Sequence, residues 1–201
     1  MIGAGCGAVG SLTPAEGHLS KGKDHLEAGR VREAIAELEA AVEADPSSVK
    51  ALFQLGNAYF QQGSLEKAAQ SFQQVLALDP ENIDAHSNLG VVYYQQRRMD
   101  KAIGQFEKAR DLRPEDAEVR YNLASSYIKS DLLDEAEAEL EKAKELDSEM
   151  PLVWYGLGTL YALQNRKAEA INAFEHFLKL GSDDIRAISV AEKQLESLKG
   201  E

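Results

Sequence analysis

The chain has a single cysteine, Cys6, which excludes an intramolecular disulfide and a thiolate metal cluster. Its four histidines, His18, His25, His86 and His176, show no H-E-x-x-H or other ligand spacing. A complete G-x-x-x-x-G-K-[ST] phosphate loop is missing, and so is a G-x-S-x-G nucleophile elbow. Long hydrophobic runs are missing too. The longest uncharged apolar stretch, Leu152 to Leu163, falls short of the roughly 18 residues of a membrane span. Basic residues are scarce, with 22 Lys and Arg against 34 Asp and Glu and a net charge of −12. Nonspecific binding to nucleic acid or anionic lipid needs a basic surface and is not expected. These absences point to a noncatalytic chain with no cofactor, no metal, no nucleic-acid partner and no membrane span.

One motif at the start suggests otherwise. Gly5-Cys6-Gly7-Ala8-Val9-Gly10 spells the G-x-G-x-x-G of a dinucleotide-binding turn. That turn needs a buried strand before it and a long βαβ unit after it. Only Met1 to Ala4 precede it, and Pro14 follows at once. Residues 1–14 therefore read as a flexible glycine-rich leader. Gly3-Ala4-Gly5-Cys6 also resembles the end of a bacterial lipoprotein signal, although the basic start and apolar region of such a signal are missing. A cytoplasmic location is expected, with a periplasmic lipoprotein acylated at Cys6 as the alternative.

The rest of the chain is periodic. Prolines 46, 80 and 114 stand 34 residues apart, as do tyrosines 59, 93, 127 and 161 and alanines 34, 68, 102, 136 and 170. Leu38, Phe72, Phe106, Leu140 and Phe174 each follow one of those alanines by four residues. Leu55, Leu89, Leu123 and Leu157 share the period, and so do Gly22, Gly56, Gly90 and Gly158, with Ala124 in the remaining slot. Trp154-x2-Leu157-Gly158-x2-Tyr161 followed by Ala170-x3-Phe174 resembles the tetratricopeptide repeat signature. The resemblance covers about residues 15 to 182 and implies an all-α, αα-hairpin solenoid that binds peptides or partner helices in a concave groove.

The residues give the same fold without the family. Leu52, Leu55, Gly56 and Tyr59 form one helical stripe, and Leu65, Ala68, Ala69, Phe72 and Val75 a second. Gly63 between them suits a left-handed cap, and Gly29, Arg97, Asp131 and Asn165 fill the equivalent turns. Pro80 stops the second helix near Leu78, Asn82 and Asp116 can cap the first helices that follow, and Pro151 suits a first turn. Five hairpins fit, at 15–48, 49–82, 83–116, 117–150 and 151–182. A capping helix is expected over 183–199, capped by Ser182 or Asp183, with Ile185, Ile188, Ala191, Leu195 and Leu198 as its apolar face. The first hairpin, with Gly17, Lys21 and His25, reads as a polar, loosely packed end in which His18 and His25 are half-buried structural residues. The acidic run 134–145 is expected to be a solvated outer face.

Each hairpin's first helix turns a second face away from its buried stripe, and the resemblance places this face on the groove. It carries Phe53, Gln54, Asn57 and Phe60, then Asn88 and Tyr94, then Tyr121 and Asn122, then Tyr155. These read as a peptide-binding groove with aromatic walls and an amide floor, because an amide both donates to and accepts from a peptide backbone. The aromatics have a second reading, as packing between adjacent repeats. Asn88 and Asn122 resemble the asparagine ladder in the repeats of the O-linked N-acetylglucosamine transferase. The carboxylate clamp of heat-shock co-chaperones is not expected: Asn57 and Asn88 fit it, but Phe53, Glu118 and Asn122 stand where it needs cations. The expected function is a noncatalytic protein–protein interaction adaptor for a protein or peptide segment. The alternative is a self-associating structural scaffold.

Overall fold

The structure, a computed structural model, describes residues 12–200. Cys6 and the Gly5–Gly10 fingerprint lie outside the described residues. Eleven helices and no strand occur among those described: α1 Pro14–Glu27, α2 Val31–Ala44, α3 Val49–Gln62, α4 Leu65–Leu78, α5 Ile83–Gln95, α6 Met99–Leu112, α7 Ala117–Lys129, α8 Leu133–Leu146, α9 Pro151–Leu163, α10 Lys167–Leu180 and α11 Ile185–Gly200.

The same stop is used inside every hairpin. Gly29, Gly63, Arg97, Asp131 and Asn165 all take positive φ, between 59° and 82°. At each turn the next residue's N–H bonds back to the carbonyl of the residue four before the turn, as Ser64 does to Tyr59 and Arg98 to Tyr93. This reverse bond satisfies a carbonyl that the ending helix leaves open. The starts are capped as well. Ser48 accepts from Ala51 N–H, Asn82 from Ala85 N–H and Asp116 from Glu118 and Val119 N–H. Pro151 opens α9.

Two compact units divide the chain, residues 1–85 and 86–201. In the first, α1 packs on α2, α2 on α3 and α3 on α4. Its core holds Ala34, Leu38, Leu52, Leu55, Ala68, Phe72 and Val75. In the second, α6 packs on α7, α7 on α8, α8 on α9, α9 on α10 and α10 on α11, around Leu89, Phe106, Leu123, Leu140, Leu157, Phe174 and Phe177. The periodic glycines explain the close approach of paired helices. A Cβ on Gly56 would stand 2.7 Å from the Phe72 ring, and one on Gly90 2.6 Å from the Phe106 ring.

Three details differ from the sequence expectation. Thr13 and Pro14 belong to α1 and not to a leader: Thr13 forms a capping box with Glu16, and Pro14 takes the first helical position. Asp184, and neither Ser182 nor Asp183, caps α11, accepting from Arg186 and Ala187 N–H. Ser182 accepts instead from Asp184 N–H. With the cap at Asp184, Ile185 points to solvent at 79% exposure, and Ala187 joins Ala191 and Leu195 on the buried face.

The acidic run on α8 is not simply a solvated face. Glu137 bonds Arg166 and Gln164, Glu139 bonds Arg110 and Arg120, and Glu141 bonds Tyr161. Alternate glutamates thus tie α8 to its neighbours in the second unit. The α1 end matches the polar reading, with Gly22 the one buried residue of that helix. His18 lies 2.7 Å from Glu37, and His25 accepts from Arg30 at 2.9 Å.

Candidate peptide-binding face

In the first unit, Phe53, Gln54, Asn57 and Phe60 occupy one side of α3 and are all half-buried. Phe53 meets the Phe72 ring edge-on at 5.6 Å and lies against the cluster of Leu52, Val75 and Ala85. Its ring therefore serves the packing of its own hairpin.

In the second unit, Asn88 and Tyr94 lie on α5, Tyr121 and Asn122 on α7, and Tyr155 on α9, again all half-buried. Tyr94, Tyr121 and Asn122 come together around a cavity of about 260 Å³ between α5 and α7. Val91, Gln95 and Ser125 complete its walls, and Phe106 of α6 closes the back. Asn88 does not line this cavity. Tyr155 lines a second one, of about 220 Å³, between α9 and α11. There it is joined by Thr159, Ala162, Leu163, Val190 and Gln194, with Phe174 behind. The Tyr155 ring packs on Phe174 and Phe177, at centroid distances of 6.3 and 5.4 Å. Like Phe53, it combines core packing with an exposed edge.

Neither lining contains a charged side chain. Burial pushes the Tyr121 hydroxyl up to about 12, and it also raises Tyr94 and Tyr155. At neutral pH the three phenols are uncharged and can both donate and accept. Asp184, at the start of α11, adds a smaller upward push on Tyr121 and Tyr155, so its negative charge reaches this face. The amide row ends at α9 because Gly156 takes the place equivalent to Asn88 and Asn122. A Cβ there would lie 2.8 Å from Leu140 Cδ2 and 3.3 Å from Tyr121 Cε2.

Val91, Ser125 and Thr159 stand four residues beyond Ser87, Tyr121 and Tyr155 and so one helical turn further on the same outward face. Sequence reasoning missed Val190 and Gln194, because α11 was expected only to close the stack. Gly17-x4-Gly22-Lys23 begins like a phosphate loop, but Asp24 follows it and the whole run is inside α1. Among the described residues, no group of His, Cys, Asp or Glu is placed to hold a metal ion. No helix among them is long and apolar enough to cross a membrane.

Paired helices of nearly equal length, with one left-handed turn per pair, define a helical-repeat protein of the αα-hairpin solenoid class. The family model described as TPR repeat matches residues 22–63 and 56–97, and that described as Tetratricopeptide repeat matches 87–151 and 121–185. The chain belongs to the tetratricopeptide repeat family. It is similar in fold to YrrB, described as a TPR protein with an unusual peptide-binding site, at 22% identity and a TM-score of 0.72 over 89% of this chain and 92% of that one. It is similar to PilF of Pseudomonas aeruginosa, at 22% identity and a TM-score of 0.75 over 92% and 88%. It is also similar to MamA of Desulfovibrio magneticus RS-1, at 25% identity and a TM-score of 0.75 over 85% and 95%. A comparison with curated proteins gives no match.

Proposed function

We propose that the chain is a noncatalytic adaptor that holds an extended segment of a partner protein in a concave groove, along the face carrying Asn88, Tyr94, Tyr121, Asn122 and Tyr155. The observation that supports this reading most directly is the α5–α7 cavity. It is a neutral pocket with apolar walls and a few converging hydroxyl and amide groups, the usual composition of a site that anchors one side chain and fixes its backbone. The likeness to YrrB lends the reading a precedent in fold.

The test uses a displayed library of random 12-residue peptides and the full chain. Peptides retained by wild type are synthesised and titrated against the Asn88→Ala/Asn122→Ala variant. Each amide hydrogen bond to a peptide backbone is worth about 0.5–1.5 kcal/mol net, so losing both amides is expected to weaken binding about tenfold. Leu89 and Leu123 stay buried, and the melting temperature of each protein is the control for folding. Unchanged affinity with an unchanged melt removes the amides from the site. Concentration-dependent self-association without peptide capture favours the scaffold reading instead.

A further inference from the structure

We infer that the groove recognises a segment with two apolar side chains six residues apart and a lysine or arginine between them. The inference rests on the peptide-binding reading above and specifies what that site selects.

The two cavities supply the first part. One opens between α5 and α7, the other between α9 and α11, and both belong to the second unit. α7 packs on α9, and α9 on α11. Packed helices stand about 8–10 Å apart. Two such steps separate the cavities, which places their centres about 16–20 Å apart. A chain rising about 3.3 Å per residue crosses that distance in about five or six residues. Orientation then decides between the two values. In a strand, side chains alternate, so only an even separation points both anchors into the face. In a polyproline helix the period is three, and six residues again bring both anchors to one side. A spacing of six satisfies both backbones, and five satisfies neither.

The linings supply the chemistry of the anchors. Each cavity is walled by uncharged groups and closed by a core phenylalanine, Phe106 in one and Phe174 in the other. A charged side chain entering either would lose its water and meet only hydroxyl and amide groups, with no opposite charge to offset the loss. An aromatic or branched aliphatic side chain covers the apolar part of each lining, Val91 and Phe106 in one and Ala162, Leu163, Phe174 and Val190 in the other, without a charge to desolvate. In the second cavity the exposed edges of Leu163 and Val190, at 53% and 43%, gain the most cover.

Asp184 supplies the cation. Its carboxylate accepts from the Arg186 and Ala187 N–H groups at the first turn of α11, the helix that walls the second cavity, and it adds a smaller upward push on Tyr121, in the lining of the first cavity, and on Tyr155, in that of the second. A segment joining the anchors must pass those rings. A basic side chain in the linking stretch complements this charge, and an acidic one is repelled by it.

The experiment reads the peptides selected from the random 12-residue library by the full chain. The expected result is enrichment of pairs of Phe, Tyr, Trp, Leu, Ile or Val at a separation of six, with Lys or Arg between them. Selected peptides are then titrated against three variants by fluorescence anisotropy. Ser125→Leu narrows the first cavity and Val190→Lys charges the rim of the second; each is expected to weaken binding about tenfold. Asp184→Asn keeps the cap and removes the charge. It is expected to weaken the lysine-bearing peptide about two- to fivefold and to leave its Lys→Ser form unchanged. Melting temperatures verify that each variant folds; should Ser125→Leu melt early, Ser125→Val takes its place. Peptides with one anchor, or with pairs at other spacings, that still lose affinity on Asn88→Ala/Asn122→Ala overturn the two-anchor inference and leave the groove standing. Peptides indifferent to every one of these variants overturn both.

Discussion

The hydroxyl of Tyr127 donates to Glu107 Oε1 at 2.9 Å, tying the first helix of one hairpin to the second helix of the hairpin before it. Tyr161 and Glu141 repeat the bond at 2.8 Å, and Tyr59 and Glu39 form it in the other unit. The tyrosine column of the sequence is thus more than apolar filling. Each ring is largely buried, while its hydroxyl reaches a carboxylate twenty residues back. In a repeat protein such contacts between neighbours hold the array together, because no hairpin buries both its sides alone.

The bond has a pH signature. Burial and, after it, the bond to Glu107 push Tyr127 up to about 12, and the same causes act on Tyr59 with Glu39 to the same value. The unfolded value is about 10. A group whose pKa is higher in the folded state contributes stability that is complete below the unfolded value and is lost as pH rises through the folded one. The wild-type melting temperature is therefore expected to fall between about pH 10 and 12 more steeply than that of Tyr127→Phe. At pH 8 the variant is expected to be less stable by about 1 kcal/mol. Melts across this range check both statements, and parallel curves would show that the hydroxyl gains nothing on folding.

Two glycines of one hairpin should respond in opposite directions to alanine. A Cβ on Gly90 meets the Phe106 ring at 2.6–2.8 Å, and Phe106 is only 1% exposed, so the ring must leave its packed position to make room. Gly90→Ala is expected to cost about 1–3 kcal/mol. A Cβ on Gly104, in the middle of α6, meets nothing within 4 Å. Gly104→Ala is expected to raise stability by up to about 1 kcal/mol through helix propensity alone. The α7–α8 hairpin carries Ala124 and Leu140 at the matching places, both fully buried. Adding Phe106→Leu to Gly90→Ala should therefore recover part of the loss. Chemical denaturation of the four proteins gives the comparison directly.

The 34-residue period exposed the helices, their stops and the buried stripes, since each follows from local chemistry repeated at a fixed interval. The turn residues were legible even at Arg97, whose φ of 59° is unfavourable for an arginine but imposed by its place in the repeat. What stayed hidden depends on stacking. Glu137, Glu139 and Glu141 looked like a solvated run because nothing within α8 shows which arginine or tyrosine comes to rest beside them. Ile185 looked like core because it is apolar and in rough register, but the cap at Asp184 sets the first turn and leaves it in water. Ala187, small and easily overlooked, takes the buried place. The site was half legible for the same reason. The outward positions of the first helices could be counted, but the contribution of Val190 and Gln194 exists only once α11 lies beside α9.

Glu139 gives the sharpest test of the stacking contacts. Its carboxylate accepts from Arg120 Nη1 at 2.5 Å and from Arg110 Nη1 at 2.9 Å, joining α8 to α7 and α6. The side chains of Glu139 and Arg120 are each 12% exposed. Glu139→Gln preserves the shape but leaves the Arg120 guanidinium without its carboxylate, while Arg110 keeps Asp111 at 2.8 Å. An exposed pair contributes about 0–1 kcal/mol, whereas losing one partner of a buried pair costs about 3–5. At this exposure about 2–3 kcal/mol is expected. Glu175→Gln is the control, because Glu175 and Lys199 are each 53% exposed and their bond at 2.6 Å sits in solvent. It is expected to cost less than about 0.5 kcal/mol and to become undetectable in 1 M salt, where exposed charges are screened within about 3 Å. The cost of Glu139→Gln should persist in that salt. Adding Arg120→Met, which removes the stranded cation, should return part of the stability. Equal and equally salt-sensitive losses for the two single variants would show that Glu139 is as solvated as the acidic run first suggested.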